Sequence, residues 1–362
     1  PFMPDEEAAI YMEWVQAARE KNYAARAEAE PEEYKGRILF SLKDIFKPQK
    51  SGMVNTSKVG QGISAWSAMA NVETGIHIRI ASKRFLDRLR PHAIFNNRMS
   101  DQEFEDRVRT ALSDLSPIVK VCTTDGAEFD SKQNLFTQEI ERQVLSEVCG
   151  FDQQFIEFYY QYRNNYEISS KGLFTARCKH EKTSGEPGTL LFNTIIAAIL
   201  TNYQIRGKGP SVMVMQGDDV AKFQIGLFHD LLARKRIMLH CDLDLVVHIS
   251  SYGQGLEFAG KVLFGNNLAP CIPRLFYKIT GHRFREPDKF QEYQISIRDR
   301  VKRIRDVGEE LCIGLSALSC GISYDVVASM YNACVSFGHI SLDQAKELFR
   351  RFDQPTEMIQ VV

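Results

Sequence analysis

No apolar run in the sequence approaches the roughly twenty residues needed to cross a bilayer, and no signal peptide is visible. The eight cysteines (Cys122, Cys149, Cys178, Cys241, Cys271, Cys312, Cys320 and Cys334) include no C-x-x-C pair and no regular spacing. That pattern gives neither a zinc site nor a disulfide framework, so reduced thiols are expected. Net charge is also nearly absent: Lys+Arg 45 against Asp+Glu 46 leaves −1. No global field draws such a chain to nucleic acid, and any anion-binding surface must come from local clustering. The sequence holds no internal repeat and no low-complexity tract. It opens at Pro1 without an initiator Met, so it is expected to be cut from something longer.

What is present is ordinary for a globular enzyme: 362 residues, 44% hydrophobic, 25% charged and 10% aromatic. That length allows one large domain, or two to three subdomains around a continuous core. "PDEEAAIYMEWVQAARE" predicts a helix, with acids in its first turn and an apolar stripe at Ile10, Trp14, Val15 and Ala18. "GRILFSLKDIFKP" reads as a strand with interleaved lysines, and "KVGQGISAW" as a turn entering a helix. Residues 131–166 carry helical periodicity, and Thr189 to Asn202 an apolar helix. From about Glu286 the chain reads almost wholly helical. Ile297, Val301, Ile304 and Leu311 form one stripe, and Ile322, Val326, Met330 and Cys334 another. Gly338 ends that last helix, and Ser341 with Gln344 marks the cap of the next.

The chemistry concentrates in three short stretches. In "VMVMQGDDVAKF" two apolar arms flank a glycine, which predicts a hairpin with Asp218 and Asp219 at its tip. "PIVKVCTTDGAEFD" predicts a buried strand ending at Asp125. If the two strands are neighbours, three carboxylates meet, and like charges so placed call for cations. Hard oxygen donors favour Mg²⁺ or Mn²⁺, and a pair of such ions can activate a hydroxyl and stabilise leaving pyrophosphate. "TSGEPGTLLFNT" sets a glycine-rich loop before a helix on which Thr189 and Asn193 share one face. With Asp130, five residues beyond Asp125, they could hydrogen-bond a sugar edge and tell ribose from deoxyribose. Taken singly, each stretch has a plainer reading: an exposed turn, a helix cap, a buried amide.

Their order, D-x4-D, then SG-x3-T-x3-N, then GDD, resembles the motifs of viral RNA-dependent RNA polymerases. The fit is closest to the alphavirus-like supergroup, and within it to hepatitis E virus-like replicases. It rests on "DGAEFDSKQN", "SGEPGTLLFNT", "QGDD" and "KVGQGISAW" and spans roughly residues 37–340. The resemblance implies an α+β right-hand polymerase: fingers and an N-terminal helix over 1–116, a palm with an antiparallel sheet over 117–265, and a helical thumb over 266–362. It implies two catalytic ions, Mg²⁺ or Mn²⁺, on Asp125 and Asp218, with Asp219 auxiliary. Asp130, Ser184, Thr189 and Asn193 would select the ribonucleotide, and Gly185 would let its loop move. Lys43, Lys47 and Lys58 would grip triphosphate or template. Lys261 is either a general acid for pyrophosphate or a plain strand lysine. Arg283, Arg285, Arg298, Arg300, Lys302, Arg303 and Arg305 would face the exiting duplex, or form a solvated face with Asp299 and Asp306.

The implied reaction is attack of a primer or nascent-strand 3′-hydroxyl on the α-phosphorus of an NTP. The implied partners are an RNA template, the nascent strand, NTPs and other replicase domains such as a methyltransferase and a helicase. The expected location is the host cytoplasm, in a replication complex tied to membranes through other regions. A reverse transcriptase-like polymerase and a non-catalytic replication module are the competing readings. Asn193 and the Asp130 spacing speak against the first, and the full set of acids against the second. A metal-dependent phosphohydrolase would want histidines near the acids, and none of the eight falls in these motifs.

Overall fold

The computed structural model describes residues 5–20, 37–42, 62–115, 119–126, 128–164, 166–170, 174–251, 256–264, 267–280 and 287–348. Lys43, Lys47, Lys58, Arg283 and Arg285 lie outside them. The chain forms two compact units: Pro1–Lys43 with Gly60–Tyr252, and Asp44–Val59 with Gly253–Val362.

The first unit runs α1 (Asp5–Glu20), β1 (Arg37–Leu42), β2 (Gly62–Ala65), α2 (Ala68–Arg88), β3 (Ala93–Phe95), α3 (Asp101–Ser113), β4 (Val119–Gly126) and α4 (Leu135–Gln143). It continues with α5 (Gln153–Gln161), β5 (Tyr166–Ser170), β6 (Phe174–Cys178), α6 (Thr189–Gln204), β7 (Ile205–Gln216), β8 (Asp219–His229), α7 (Leu231–His240) and β9 (Leu245–Ser251). A π-helical turn, Val144–Val148, extends α4. The predicted N-terminal helix is α1, and Glu7 anchors it to α2 through two bonds from Arg84, 2.6 and 2.9 Å. "GQGISAW" departs from expectation. Its Gly62–Ala65 segment is a strand paired with β1, and the helix starts only at Ala68, behind the Ser67 cap.

Two sheets result, ordered β2-β1-β5-β6 and β3-β7-β8-β4-β9. In the second, every neighbour is antiparallel except β3 with β7. Apolar α6 packs its Leu191, Ile195, Ile196 and Leu200 into the core that holds Met215 and Val220. A buried hydroxyl pair, Thr124 with Thr201 at 2.8 Å, ties β4 to the same helix.

The other anchor of this unit is ionic. Glu141 of α4, Arg163 beyond α5, and Lys182 and Glu186 of the loop before α6 have side chains with no exposed surface. Glu141 accepts from Arg163, from Lys182 Nζ at 2.8 Å and from the Tyr160 hydroxyl at 2.8 Å. Glu186 lies 3.8 Å from Arg163 and 3.9 Å from Lys182, and accepts from the Tyr159 hydroxyl at 3.3 Å. Burial opposes ionisation of Glu141, but Arg163 and Lys182 outweigh it and hold its carboxyl below the ordinary range. For Glu186 burial prevails over the same two cations, and its pKa is raised.

The second unit holds a three-stranded antiparallel meander, β10 (Leu256–Phe258), β11 (Lys261–Phe264) and β12 (Asn267–Pro270). Helices follow: α8 (Ile272–Thr280), α9 (Pro287–Val307), α10 (Glu309–Cys320), α11 (Tyr324–Phe337) and α12 (Leu342–Leu348). The helical reading of this region holds. Ile297, Val301 and Ile304 are buried as expected, and the Ser341 cap forms, with Gln344 N–H on its hydroxyl at 3.2 Å and the return bond at 2.8 Å. Two stripe members are misplaced. Leu311 is exposed, and α11 buries Val327, Tyr331 and Cys334 while Val326 faces water. Leu311 belongs to the next helix, α10, so its spacing from Ile304 crosses the break at Gly308. In α11 a strict four-residue step advances about 40° past a full turn each time, so a row of such steps spirals off the buried face.

Glu141→Gln is expected to cost about 3–5 kcal/mol at neutral pH, because it leaves buried cations underpaired. Glu141 has a depressed folded-state pKa, so its contribution is complete above the unfolded carboxylate value of about 4.3 and is lost as pH falls through the lower folded value. The gap between parent and Glu141→Gln should therefore close in acid. Glu186 has the opposite sign, contributing below about 4.3 and losing that contribution as pH rises through its raised value. Glu186→Gln should accordingly cost less at neutral pH. Urea midpoints across the acid range check both. In the second unit, Ile304→Ala should cost about 2–5 kcal/mol while exposed Leu318→Ala stays within about 0.5 kcal/mol, by the same measurement.

Candidate active site

The hairpin expected from "QGDD" is present. Gln216 of β7 pairs with Asp219 of β8, which leaves Gly217 and Asp218 as the turn. Gly217 has φ +64°, a conformation that costs a glycine little and a side chain more. The turn is pinned from two sides. The Gly217 N–H donates to Thr194 Oγ1 at 2.8 Å, and the Thr194 hydroxyl donates to the Leu190 carbonyl of α6 at 2.8 Å. Asn96, just past β3, donates to Gln216 Oε1 at 2.7 Å.

β4 lies beside β8 with Thr124 opposite Val220. One step further along that register, Asp125 falls opposite Asp219, and opposed antiparallel residues have Cα atoms roughly 4.5–5.5 Å apart. On its other side Asp125 pairs with Val246 of β9. Asp125 is exposed, and Asp218 and Asp219 are half-buried. The three aspartates thus reach one end of the central sheet from strands far apart in sequence. Their donors are carboxylate oxygens, the hard kind that suits Mg²⁺ or Mn²⁺. Among the described residues, however, no three His, Cys, Asp or Glu side chains are gathered as a metal site. The backbone brings the acids together without closing them into a ligand cage.

The loop before α6 is strapped to β2. Ala65 and Gly185 form a parallel bridge, the Ser64 N–H donates to Ser184 Oγ at 3.2 Å, and Trp66 Nε1 donates to Thr183 Oγ1 at 2.7 Å. A Cβ on Gly185 would stand 2.3 Å from the Ser64 carbonyl oxygen, so close approach alone demands glycine there. Thr189 and Asn193 do share α6, but their polar groups turn to different partners. The Thr189 hydroxyl faces the loop carbonyls of Thr183 and Glu186, at 3.0 and 2.9 Å. Asn193 donates from Nδ2 to Asp130 Oδ1 at 2.6 Å, and its Oδ1 accepts from Gln133 Nε2 at 2.8 Å. The Asp130–Asn193 pair expected at the sugar edge is therefore in contact.

Lys261 sits half-buried on β11, in the second unit. On α9, Arg298, Lys302 and Arg305 face outward and Arg300 and Arg303 are half-buried, so the apolar stripe leaves most of this basic set on the surface. Gln133, Thr194 and the buried ionic group were not singled out from sequence. A signal existed: Thr137, Gln138 and Glu141 are polar residues at core-facing spacing on α4, and all three are buried. Polar residues on an inward stripe imply buried partners.

A family model described as RNA dependent RNA polymerase matches residues 3–226. The replicase of Beet necrotic yellow vein virus (isolate Japan/S) is 34% identical over 338 residues, 91% of this chain and 16% of the relative. The non-structural polyprotein pORF1 of Hepatitis E virus genotype 1 (isolate Human/Pakistan/Sar-55) is 28% identical over 298 residues, 81% of this chain and 17% of the relative. The chain thus spans under a fifth of the length of these curated relatives. Among solved structures, the RNA-dependent RNA polymerase of a human picorbirnavirus superimposes with TM-score 0.55 at 15% identity, over 84% of this chain and 61% of that one. That likeness shows the fold, the α+β right hand of a viral RNA-dependent RNA polymerase. No helix among the described residues is long and apolar enough to cross a membrane. The matched span holds β4, α6 and the whole β7–β8 turn, the elements that carry the aspartates and the loop, and its length makes this chain a member of the RNA-dependent RNA polymerase family.

Proposed function

We propose that the chain performs template-directed synthesis of RNA from NTPs on a viral RNA template, as the polymerase part of a larger replicase. One observation carries the reading. The β4–β8 register, together with the two-residue β7–β8 turn, supports Asp125, Asp218 and Asp219 as one acidic centre. RNA-dependent RNA polymerases generally use divalent metal ions. In this chain Asp125 and Asp218 would hold two, Mg²⁺ or Mn²⁺, with Asp219 auxiliary. Bound there, the ions would activate the attacking 3′-hydroxyl and stabilise the departing pyrophosphate.

The protein's own part is to position. Thr194 and Asn96 hold the hairpin tip against α6 and the β3 edge, which fixes where Asp218 stands. Asn193 and Asp130 offer a donor and an acceptor to the nucleotide sugar, and a ribose 2′-hydroxyl can use both. Ser184, Gly185 and Thr189 shape the loop beside that edge. Lys43, Lys47 and Lys58 are assigned to triphosphate or template. Residues 1–116 would serve as fingers, 117–265 as palm and 266–362 as thumb, with the basic face of α9 on the product duplex. Both curated relatives are several times longer than this chain, which supports further replicase domains as partners. We assign the assembly to the host cytoplasm, with membrane attachment through other regions.

Asp218→Ala should abolish primer extension on a homopolymeric RNA template while leaving the circular dichroism spectrum and urea midpoint near parental values, since it removes one of two adjacent like charges. Retained synthesis by that variant would defeat the assignment. Asn193→Ala should narrow the preference for NTPs over dNTPs, read from incorporation kinetics. An unchanged ratio would remove the sugar role while leaving the acidic centre standing.

A further inference from the structure

The Asn193 side chain is nearly buried, and two residues of a single turn clamp its amide at both ends. Asp130 Oδ1 receives its Nδ2 at 2.6 Å, and Gln133 Nε2 donates to its Oδ1 at 2.8 Å. Asp130 and Gln133 are brought together by the turn itself, in which the Gln133 N–H reaches the Asp130 carbonyl at 3.3 Å. A third group stands behind them. Lys182 Nζ donates to Gln133 Oε1 at 3.3 Å and to Glu141 Oε1 at 2.8 Å. Gln133 is 1% exposed and Lys182 3% exposed, so water does not compete for these contacts.

An ammonium group only donates. Lys182 therefore requires the oxygen of Gln133. The Gln133 NH₂ is left for Asn193, which must answer with its own oxygen. That in turn sends the Asn193 NH₂ to Asp130. A side-chain amide has two orientations of almost the same shape, and only hydrogen-bond partners choose between them. Here one buried cation chooses for two amides in succession. The choice matters at the end of the chain, because a flipped Asn193 would set its oxygen against the Asp130 carboxylate.

We propose that Gln133 is a positioning residue for ribose discrimination: it hands the donor polarity of Lys182 on to Asn193, so that Asn193 and Asp130 meet the nucleotide sugar as a fixed donor and acceptor. The inference rests on the sugar-reading role proposed above for Asn193 and Asp130. Gln133 does not itself touch the nucleotide. The ligand served is a ribonucleoside triphosphate, distinguished from its deoxy counterpart by the 2′-hydroxyl.

Gln133→Glu keeps the shape and removes the donor. Its carboxylate accepts from Lys182 at one oxygen and demands a proton from Asn193 at the other, which reverses the Asn193 amide. In the full chain, the ratio of kcat/KM for CTP over dCTP should fall roughly five- to tenfold, the size of one lost hydrogen bond. It should approach the value for Asn193→Ala, and Gln133→Glu should add nothing in an Asn193→Ala background. Gln133→Met fills the space without donating or accepting and should give a smaller fall. It keeps the test alive if the glutamate variant does not fold. A second readout needs no turnover: the difference between the thermal stabilisation given by CTP and by dCTP should shrink in step with the ratio. The proposal is overturned if Asn193→Ala lowers the ratio while folded Gln133 variants keep the parental ratio and differ only in stability, for then Gln133 is merely structural. An unchanged ratio in Asn193→Ala would instead fell the sugar reading, and this inference with it.

Discussion

Two cations and two carboxylates without exposed surface meet where α4, the end of α5 and the loop before α6 converge. Much of the first unit's site geometry depends on that meeting. Bringing four ionisable groups out of water is expensive, and it is tolerated only because each finds an opposite charge and because Tyr159 and Tyr160 supply further hydrogen bonds. Buried ion pairs in general often add no more net stability than well-packed apolar residues of similar volume. What this group adds is direction. A methyl group packs equally well in several poses, whereas the Lys182 ammonium donates and never accepts, and that restriction reaches through Gln133 to Asn193 of α6.

The hairpin tip is held differently. Neutral hydrogen bonds brace it, from the Gly217 N–H to Thr194 and from Asn96 to Gln216, together with the left-handed backbone of Gly217. The contrast is physically sensible. A turn that carries two aspartates already concentrates negative charge, and any ionic support beneath it would alter its electrostatics. Hydroxyl and amide supports fix its shape and leave its charge alone.

How much of this was legible follows from how local each signal is. The β7–β8 hairpin, the strand ending at Asp125, the apolar helix from Thr189 and the Ser341–Gln344 cap are written in contiguous residues, and all are present. The strand at Gly62–Ala65 was hidden because its partner, β1, is some twenty residues away and its glycines speak for a turn. The phase of α11 was missed for a geometric reason, since a repeated four-residue step looks helical but leaves the buried face. The ionic group was the hardest to see. Glu141, Arg163 and Lys182 are separated by 22 and 41 residues as pairs with Glu141, and each by itself is an unremarked charged residue. Gly185 was visible as a glycine, but its cause, the Ser64 carbonyl oxygen pressed against it, belongs to a distant strand.

Asn193 and Thr194 are consecutive on α6. The first is bonded to Asp130 and the second to the Gly217 amide. A rigid helix thus joins the Asn193 amide to the backbone of the Gly217 turn through a single peptide unit. Pressure on one is felt at the other with no hinge between them to absorb it. On the roles proposed for them, a molecule of the wrong shape that pushed the amide back would also tug the aspartates out of line, gearing selection and reaction to one shaft rather than checking them in sequence.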